Sequence, residues 1–329
     1  MSAPRVLITT VPFSQHSPVA LDRLRAEGLE FVLNPIGRRL KEDELADLIG
    51  GFDLLIAGTE PITARVLARA DRLRLISRVG IGLDSVDLIA ARARGVHVSY
   101  TPEAPAPAVA ELTLGLMLSL LRHIAPADRS VRGGEWHRLM GRRLDGLTVG
   151  VLGVGRVGSR VIRMIRAAFP STVILAHDRS PHPALASELG VRWVEPPVIF
   201  AEADIVTVHV PLTALTRDLI AARELAWMKP TAFLINTARG GIVNEADLAM
   251  ALRARRLQGA AIDVFQEEPY TGELAASEHV LLTCHMGSMS EDCRARMEIE
   301  ATDEVVRFAR SEPLLGLVPD EEYAIAARL

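Results

Sequence analysis

The chain has 329 residues, a formal net charge of −4, 49% hydrophobic and 24% charged residues, and two cysteines. That length favours two domains over one minimal core, and the composition excludes a disordered chain. The negative balance argues against a nucleic-acid partner, which would need a clustered basic surface. Cys284 and Cys293 cannot build a disulfide framework, so a reducing, cytoplasmic compartment is expected. The opening MSAPRVLITTVPF lacks the order of a signal peptide, and the most apolar helical stretch, 112–121, is about half a bilayer span, so no membrane is expected.

Apolar runs predict strands at 5–10, 29–33, 53–57, 73–78 and 96–100, with helices between most of them, as at 42–49 and 87–94. Runs that are apolar throughout suit strands buried on both faces of a parallel sheet. Pro102, Pro105 and Pro107 in YTPEAPAPAVAEL then break regular structure and mark a boundary. A long apolar helix is predicted over 108–122. A second series follows, with strands at 148–152, 172–176, 204–210, 232–236, 259–263 and 280–283, and a final amphipathic helix over 291–310. Alternation of this kind predicts an α/β chain of doubly wound parallel sheets.

The sharpest motif is GVGRVG, with Gly153, Gly155 and Gly158, set between the apolar strand TVGVL and the helical SRVIRMIRAAF. The first glycine suits a tight turn, the second lets backbone approach a pyrophosphate, and the third allows close helix–strand packing. Arg156 and Val157 then open a helix whose free amides favour an anion. Asp178 ends the next strand, about 20 residues on, where an acid binds ribose hydroxyls. Its charge would repel a 2′-phosphate and favours NAD over NADP, although Arg179 beside it can accommodate that phosphate.

Ligands of such sheets sit beyond the carboxyl ends of the strands. There the sequence places Thr237, Ala238, Arg239, Gly240 and Gly241 after one strand, Asp263 and the acids Glu267 and Glu268 after the next, and His285 after the last. A guanidinium fork can hold the carboxylate and adjacent ketone of a 2-oxo acid. An imidazole can donate the proton that hydride delivery demands, and a neighbouring carboxylate orients it and favours its charged form. The two glycines would let a nicotinamide approach the backbone. Singly, each residue has a plainer reading: Arg239 on the surface, the acids in a solvated loop, Asp263 capping a loop, His285 in the core. A metal site at Cys284, His285 and Cys293 lacks the usual ligand spacing. In the first series, Val79, Gly80 and Ile81 follow a strand, where their amides either bind substrate or simply make the turn. His209, after DIVTV, reads as structural or cofactor-flanking.

These residues resemble the D-isomer-specific 2-hydroxyacid dehydrogenases, particularly short phosphoglycerate-dehydrogenase-like members. The likeness rests on SRVGIGLDSVD, AVAELTLGLML, VGVLGVGRVG, HVPLT, MKPTAFLINTARGGIVNE, GAAIDVFQEEP and TCHMGS. The resemblance implies a Rossmann cofactor domain (102–288) inserted into a flavodoxin-like substrate domain (1–101 with 289–329). It implies a small 2-hydroxy or 2-oxo acid as substrate, with Arg239 binding it, His285 as acid/base and Glu268 as its partner. It implies cofactor contacts from His209, Val210, Pro211, Thr237, Ala238, Asp263 (to the nicotinamide carboxamide) and Gly287, and a homodimer through the cofactor domain by the helix after AVAEL. The family usually has proline where Cys284 stands. The phosphate-gripping arginine of some phosphoglycerate enzymes is replaced by Ala57 and Gly58. The chain ends at Leu329, leaving no room for the regulatory domain of long forms. Two rival readings are an NADH-responsive corepressor-like binding protein and a formate-type enzyme, the latter disfavoured because its members carry glutamine at the position of Glu268.

Overall fold

The computed structural model describes residues 4–327. The chain divides into two compact units: one runs to Pro105 and resumes at Met289, and the other is Ala106–Ser288.

The first unit is built on strands β1 (Arg5–Ile8), β2 (Glu30–Leu33), β3 (Leu54–Ala57), β4 (Leu75–Arg78) and β5 (His97–Tyr100). All pair in parallel, in the order β2-β1-β3-β4-β5, the flavodoxin-like arrangement. Helices α1 (Val19–Ala26), α2 (Glu42–Leu48), α3 (Ala64–Arg69) and α4 (Leu88–Ala93) make the crossovers. Every residue of β3 and β4 is buried, as parallel strands covered on both faces require. Side chains set the helix starts: Thr63 Oγ1 accepts the Val66 amide of α3 (3.4 Å) and Asp87 Oδ1 that of Ala90 in α4 (2.8 Å).

The second unit holds β6 (Thr148–Leu152), β7 (Val173–His177), β8 (Arg192–Trp193), β9 (Ile205–Val208), β10 (Phe233–Asn236), β11 (Gly259–Ile262) and β12 (Val280–Leu282). Their order, β12-β11-β10-β9-β6-β7-β8, is the Rossmann order with a seventh parallel strand. It reverses between β6 and β9, so the crevice beyond these two strands is where a dinucleotide belongs. Helices α5 (Ala106–Leu121), α6 (Ile124–Arg132), α7 (Arg156–Ala168), α8 (Pro183–Leu189), α9 (Pro196–Glu202), α10 (Ala222–Trp227) and α11 (Glu245–Arg253) complete it. α5 buries Ala110, Leu116, Met117 and Leu121 in the core that α7 shares through Val161, Ile162 and Ile165. Each large apolar side chain so buried contributes roughly 1.5–3 kcal/mol. Among the described residues no single helix is long and apolar enough to cross a membrane.

The chain then returns to the first unit as α12 (Glu291–Ala309) and α13 (Asp320–Ala326). α12 buries Cys293, Met297, Ala301 and Val305, and the Ser77 hydroxyl on β4 donates to the Ala301 carbonyl (2.8 Å).

Two local expectations need correction. α5 begins at Ala106, not 108, because Pro107 falls in its first turn, where a missing N–H costs nothing. The two-residue strand β8 has no sequence signal: it is an edge strand set by pairing Leu175 and Ala176 with Arg192 and Trp193.

Candidate active site

In the second unit the turn between β6 and α7 shows why its glycines are needed. Gly153 has φ +87°, and a Cβ there would lie 2.7 Å from the His209 carbonyl at the end of β9. A Cβ on Gly158 would collide with the Gly153 carbonyl oxygen, while one on Gly155, the residue before α7, would meet nothing. Thus two glycines close the turn and the third leaves it bare, beside the first amides of a 13-residue helix. Asp178, just after β7, joins this turn. Its Oδ2 accepts the Val154 amide (2.7 Å) and its Oδ1 the Ser180 amide (2.9 Å). Each oxygen keeps a second lone pair, so the residue can brace the turn and still accept ribose hydroxyls. The groups fit a dinucleotide: a turn left open at Gly155, a helix N-terminus and an acid at the next strand.

His209 bonds through Nε2 to the Thr207 hydroxyl (3.0 Å). Desolvation pushes its pKa down to about 3, so the ring is neutral at ordinary pH. A neutral ring is a poor proton donor and suits a place beside the cofactor. Val210 and Pro211 follow it directly.

The reacting groups follow three adjacent strands, β10, β11 and β12. After β10, Asn236 shapes the turn: its Nδ2 donates to the Arg239 carbonyl (2.8 Å) and its Oδ1 accepts the Ala238 amide (3.0 Å). Thr237 is buried and shares a hydroxyl hydrogen bond with Thr113 of α5 (2.8 Å). The Arg239 side chain, partly buried, donates to the Ala238 carbonyl (2.6 Å). The missing side chain of Gly240 is used by the chain itself: the Phe265 carbonyl occupies that space. The expectation that Gly240 admits the nicotinamide is therefore replaced by loop-on-loop packing.

After β11, Asp263 is almost fully buried, and its carboxylate is held by its own neighbourhood. Oδ1 accepts the Thr283 hydroxyl (2.6 Å) and the Met286 amide (2.9 Å), and Oδ2 accepts the Gly287 amide (3.0 Å). The Asp263 carbonyl takes the His285 amide (2.7 Å). Of the readings open in the sequence, loop capping is the one this geometry displays. The clamp fixes the loop after β12 and holds His285 at φ +53°, a conformation L-residues seldom adopt unsupported.

His285 Nδ1 lies 2.9 and 3.1 Å from the two oxygens of Glu268, and Glu268 Oε1 also accepts the Phe265 amide (3.1 Å). Nδ1 is thereby committed to the carboxylate, which leaves Nε2 for chemistry. The pair is part-exposed, at 39% and 28%. Glu245, which the sequence did not single out, accepts the Gln266 amide (2.7 Å) and braces the same loop. Its only sequence signal is its place behind the α11 cap, Asn244.

Within the first unit, β4 leads into Val79, Gly80 and Ile81. Of the two readings open there, the amides of Val79 and Gly80 display the turn. Val79 N–H donates to the Ala57 carbonyl (2.9 Å), and Gly80 N–H donates to the Thr101 hydroxyl (2.8 Å). Gly80, at φ +137°, is where the chain turns away from the sheet. Cys284 is exposed in the second unit and Cys293 is buried in the first, where burial pushes its thiol up to about 11.

Comparison with known proteins shows the family. Residues 114–287 match the family model described as the D-isomer specific 2-hydroxyacid dehydrogenase, NAD binding domain. A hydroxypyruvate reductase of Thermotoga maritima is 35% identical over 87% of this chain and 96% of its own length. A glyoxylate reductase of Aeropyrum pernix is 39% identical over 80% of this chain and 81% of its own. The chain spans only half the length of a D-3-phosphoglycerate dehydrogenase of Synechocystis, to which it is 34% identical. Among solved structures, a protein of Thermus thermophilus superposes with a TM-score of 0.87 at 36% identity, covering 96% of this chain and all of that one. The chain belongs to the D-isomer specific 2-hydroxyacid dehydrogenase family.

Proposed function

We propose that the chain moves a hydride reversibly between NAD(H) and C2 of a small 2-hydroxy or 2-oxo acid, with the D-isomer as its hydroxy acid. The observation that carries this reading is the His285–Glu268 pair set on the same sheet rim as Arg239 and the glycine turn. The bound cofactor supplies or accepts the hydride. Arg239 holds the substrate carboxylate and polarises the ketone oxygen. In reduction, the protonated imidazole gives its Nε2 proton to that oxygen as negative charge builds there; in oxidation, neutral Nε2 takes it back. Glu268 keeps Nδ1 protonated and the ring aimed. Asp178 favours NAD over NADP by accepting ribose hydroxyls where a 2′-phosphate would be repelled. Val210, Pro211, Thr237, Ala238 and Gly287 contribute walls of the cofactor site. Asp263 serves it by holding the His285 loop, and the stretch Val79–Gly80–Ile81 meets the substrate through Ile81, since Val79 is buried and Gly80 has no side chain.

The substrate is taken to be unphosphorylated. Gly58 follows β3 where a phosphate grip would need a cation, and the near full-length relatives carry the names hydroxypyruvate reductase and glyoxylate reductase. The chain is further proposed to act in the cytoplasm as a homodimer through its cofactor unit. Support for the dimer is the apolar surface at Ile124, Val131, Trp136, Leu139 and Met140, on and after α6.

The test is loss of NADH absorbance with a panel of 2-oxo acids, repeated with NADPH. Turnover that disappears in Arg239→Ala supports the reading. Tight NADH binding with no turnover on any acid overturns it in favour of a cofactor-sensing role.

A further inference from the structure

The middle of α5 buries Ala110, Leu116 and Met117 and, between them in the chain, a fully buried Thr113. Valine has nearly the same shape and would fill that place with no polar group to satisfy. A buried hydroxyl costs free energy unless it is bonded, so this one has a task. Its Oγ1 lies 2.7 Å from the Val109 carbonyl oxygen, one turn back, and 2.8 Å from the Thr237 hydroxyl after β10. Thr237 is itself buried. A carbonyl has no proton to give, and each hydroxyl has one. Only one assignment puts a proton in both contacts: Thr237 donates to Thr113, and Thr113 donates to Val109. The two hydroxyls are a directed relay from the sheet rim into the backbone of α5.

This relay does what the turn cannot do for itself. Asn236 closes the turn by bonds to Ala238 and Arg239 within it, which fixes its shape but not its height on the rim. Height depends on ties to other elements. Thr113 holds the start of the turn, and at its far end the Asp218 amide donates to the Gly241 carbonyl (2.8 Å). Arg239 stands between the two ties. The same stretch of α5 meets the loop of His285: a Cβ on Gly287 would lie 3.2 Å from Val109 Cγ2, and the Gly287 amide is held by Asp263. Residues 109–113 therefore set the Arg239 turn and the His285 loop against one helix.

We propose that Thr113 and Thr237 are positioning residues, whose hydroxyl relay to the Val109 carbonyl sets where the Arg239 guanidinium meets the substrate carboxylate. The proposal rests on the reading of Arg239 as the group that binds the acid. It separates two properties: affinity for the 2-oxo acid depends on the relay, whereas NADH binding and the proton transfer at His285 do not.

The experiment uses the full chain and three variants. Thr113→Val removes the acceptor and strands the Thr237 proton. Thr113→Ser keeps the relay. Thr113→Val/Thr237→Val removes both hydroxyls at nearly constant shape, which is close to neutral for stability. KM for the 2-oxo acid, kcat and its pH profile, NADH affinity by fluorescence and melting temperature are measured for each. Thr113→Val should melt lower and raise KM for the acid about tenfold, the order at which a small misplacement of a binding group is felt. Its NADH affinity and the midpoint of its pH profile should stay near wild type. Thr113→Ser should restore KM. The double variant should regain melting temperature yet keep the raised KM, which also decides the matter if Thr113→Val folds poorly. A lower melting temperature with unchanged KM in Thr113→Val overturns the proposal, because the hydroxyl is then only structural. So does a serine variant as impaired as the valine one, a double variant with wild-type KM, or an equal loss of NADH affinity. A wild-type chain that reduces no 2-oxo acid overturns the functional reading and the role at Arg239 with it, whereas wild-type turnover that Thr113→Val leaves intact overturns this proposal alone.

Discussion

In the second unit the turn after β6 is bare: Gly155 faces open space, and a 13-residue helix begins beside it. In the first unit the turn after β1 holds no glycine over residues 9–18, leads to an eight-residue helix behind Pro18, and is filled by its own side chains and by those of Arg294 and Glu298. Both turns sit at the reversal point of a doubly wound parallel sheet. Strand order therefore fixes where a ligand can lie, and the contents of the turn decide which ligand. Free amides at a helix start suit a diphosphate, whose recognition is mostly charge. A loop tied down by directed bonds, with no glycine, offers no such open backbone.

The largest expected effect tests whether chemistry and cofactor binding are separable on the second rim. His285→Ala should lower the rate of reduction by about 10²–10⁴-fold, while NADH affinity by fluorescence titration stays near wild type. An equal loss of both would mean that the imidazole is part of the cofactor site. Gly153→Ala comes next. Its φ of +87° and the 2.7 Å approach to the His209 carbonyl leave no room, so about 1–3 kcal/mol should be lost from the second unit, with weaker NADH binding. Gly28→Ala in the first unit has φ +67° but nothing within 4 Å. It should cost less and leave NADH binding alone. Melting curves and titrations of the two variants side by side decide this.

A third effect appears only in acid. His209 is held down to about 3 by desolvation, against 6.5 for the free side chain. The unfolded chain takes up that proton near 6.5 and the folded chain resists it to about 3. The folded state therefore binds fewer protons in that window, and stability falls as pH drops through it. The slope is at most about 1.4 kcal/mol per pH unit, reduced here because the ring is partly exposed. His209→Asn should flatten the decline of melting temperature below about pH 6.5. An unaltered decline would place the acid sensitivity elsewhere.

The bare rim was legible in the sequence and the filled rim was not, for a physical reason. Gly153, Gly155, Gly158 and Asp178 act within one βαβ step, and Arg239, Glu268 and His285 each lie in the loop after a strand that its apolar run announces. Local pattern is enough to place them. Thr10, Pro12 and Ser14 meet Arg294 and Glu298 only because α12 returns to the first sheet, and no local pattern encodes that meeting. For the same reason the sequence alone leaves Asp263 open between a loop cap and the nicotinamide contact that the resemblance implies. Its three donors, at Thr283, Met286 and Gly287, come from the loop of the neighbouring strand. The choice left open at the amides of Val79 and Gly80 is non-local likewise, since Ala57 and Thr101, which accept them, belong to neighbouring strands or their ends.

The smallest expected effect bears on how the bare rim holds its acid. Glu245 accepts the Gln266 amide, one residue from the Phe265 amide that reaches Glu268. Burial raises the Glu245 carboxyl above its usual 4.5, and the charges of Glu267 and Glu268 add to the rise. A carboxyl raised on folding gives its full stabilising contribution below 4.5 and loses it as pH climbs through the folded value. Glutamine at this position still accepts the Gln266 amide but never ionises. Glu245→Gln should therefore melt with wild type in acid and above it near neutrality, a gap that opens only as the carboxyl titrates. The same gap at both ends of the range would mean that charge is irrelevant and that the residue is a mechanical brace, like the ties of the first rim. A gap confined to neutral pH would mean that this loop tolerates three clustered acids, Glu245, Glu267 and Glu268, at a small cost in stability, so that a carboxylate stands ready beside His285.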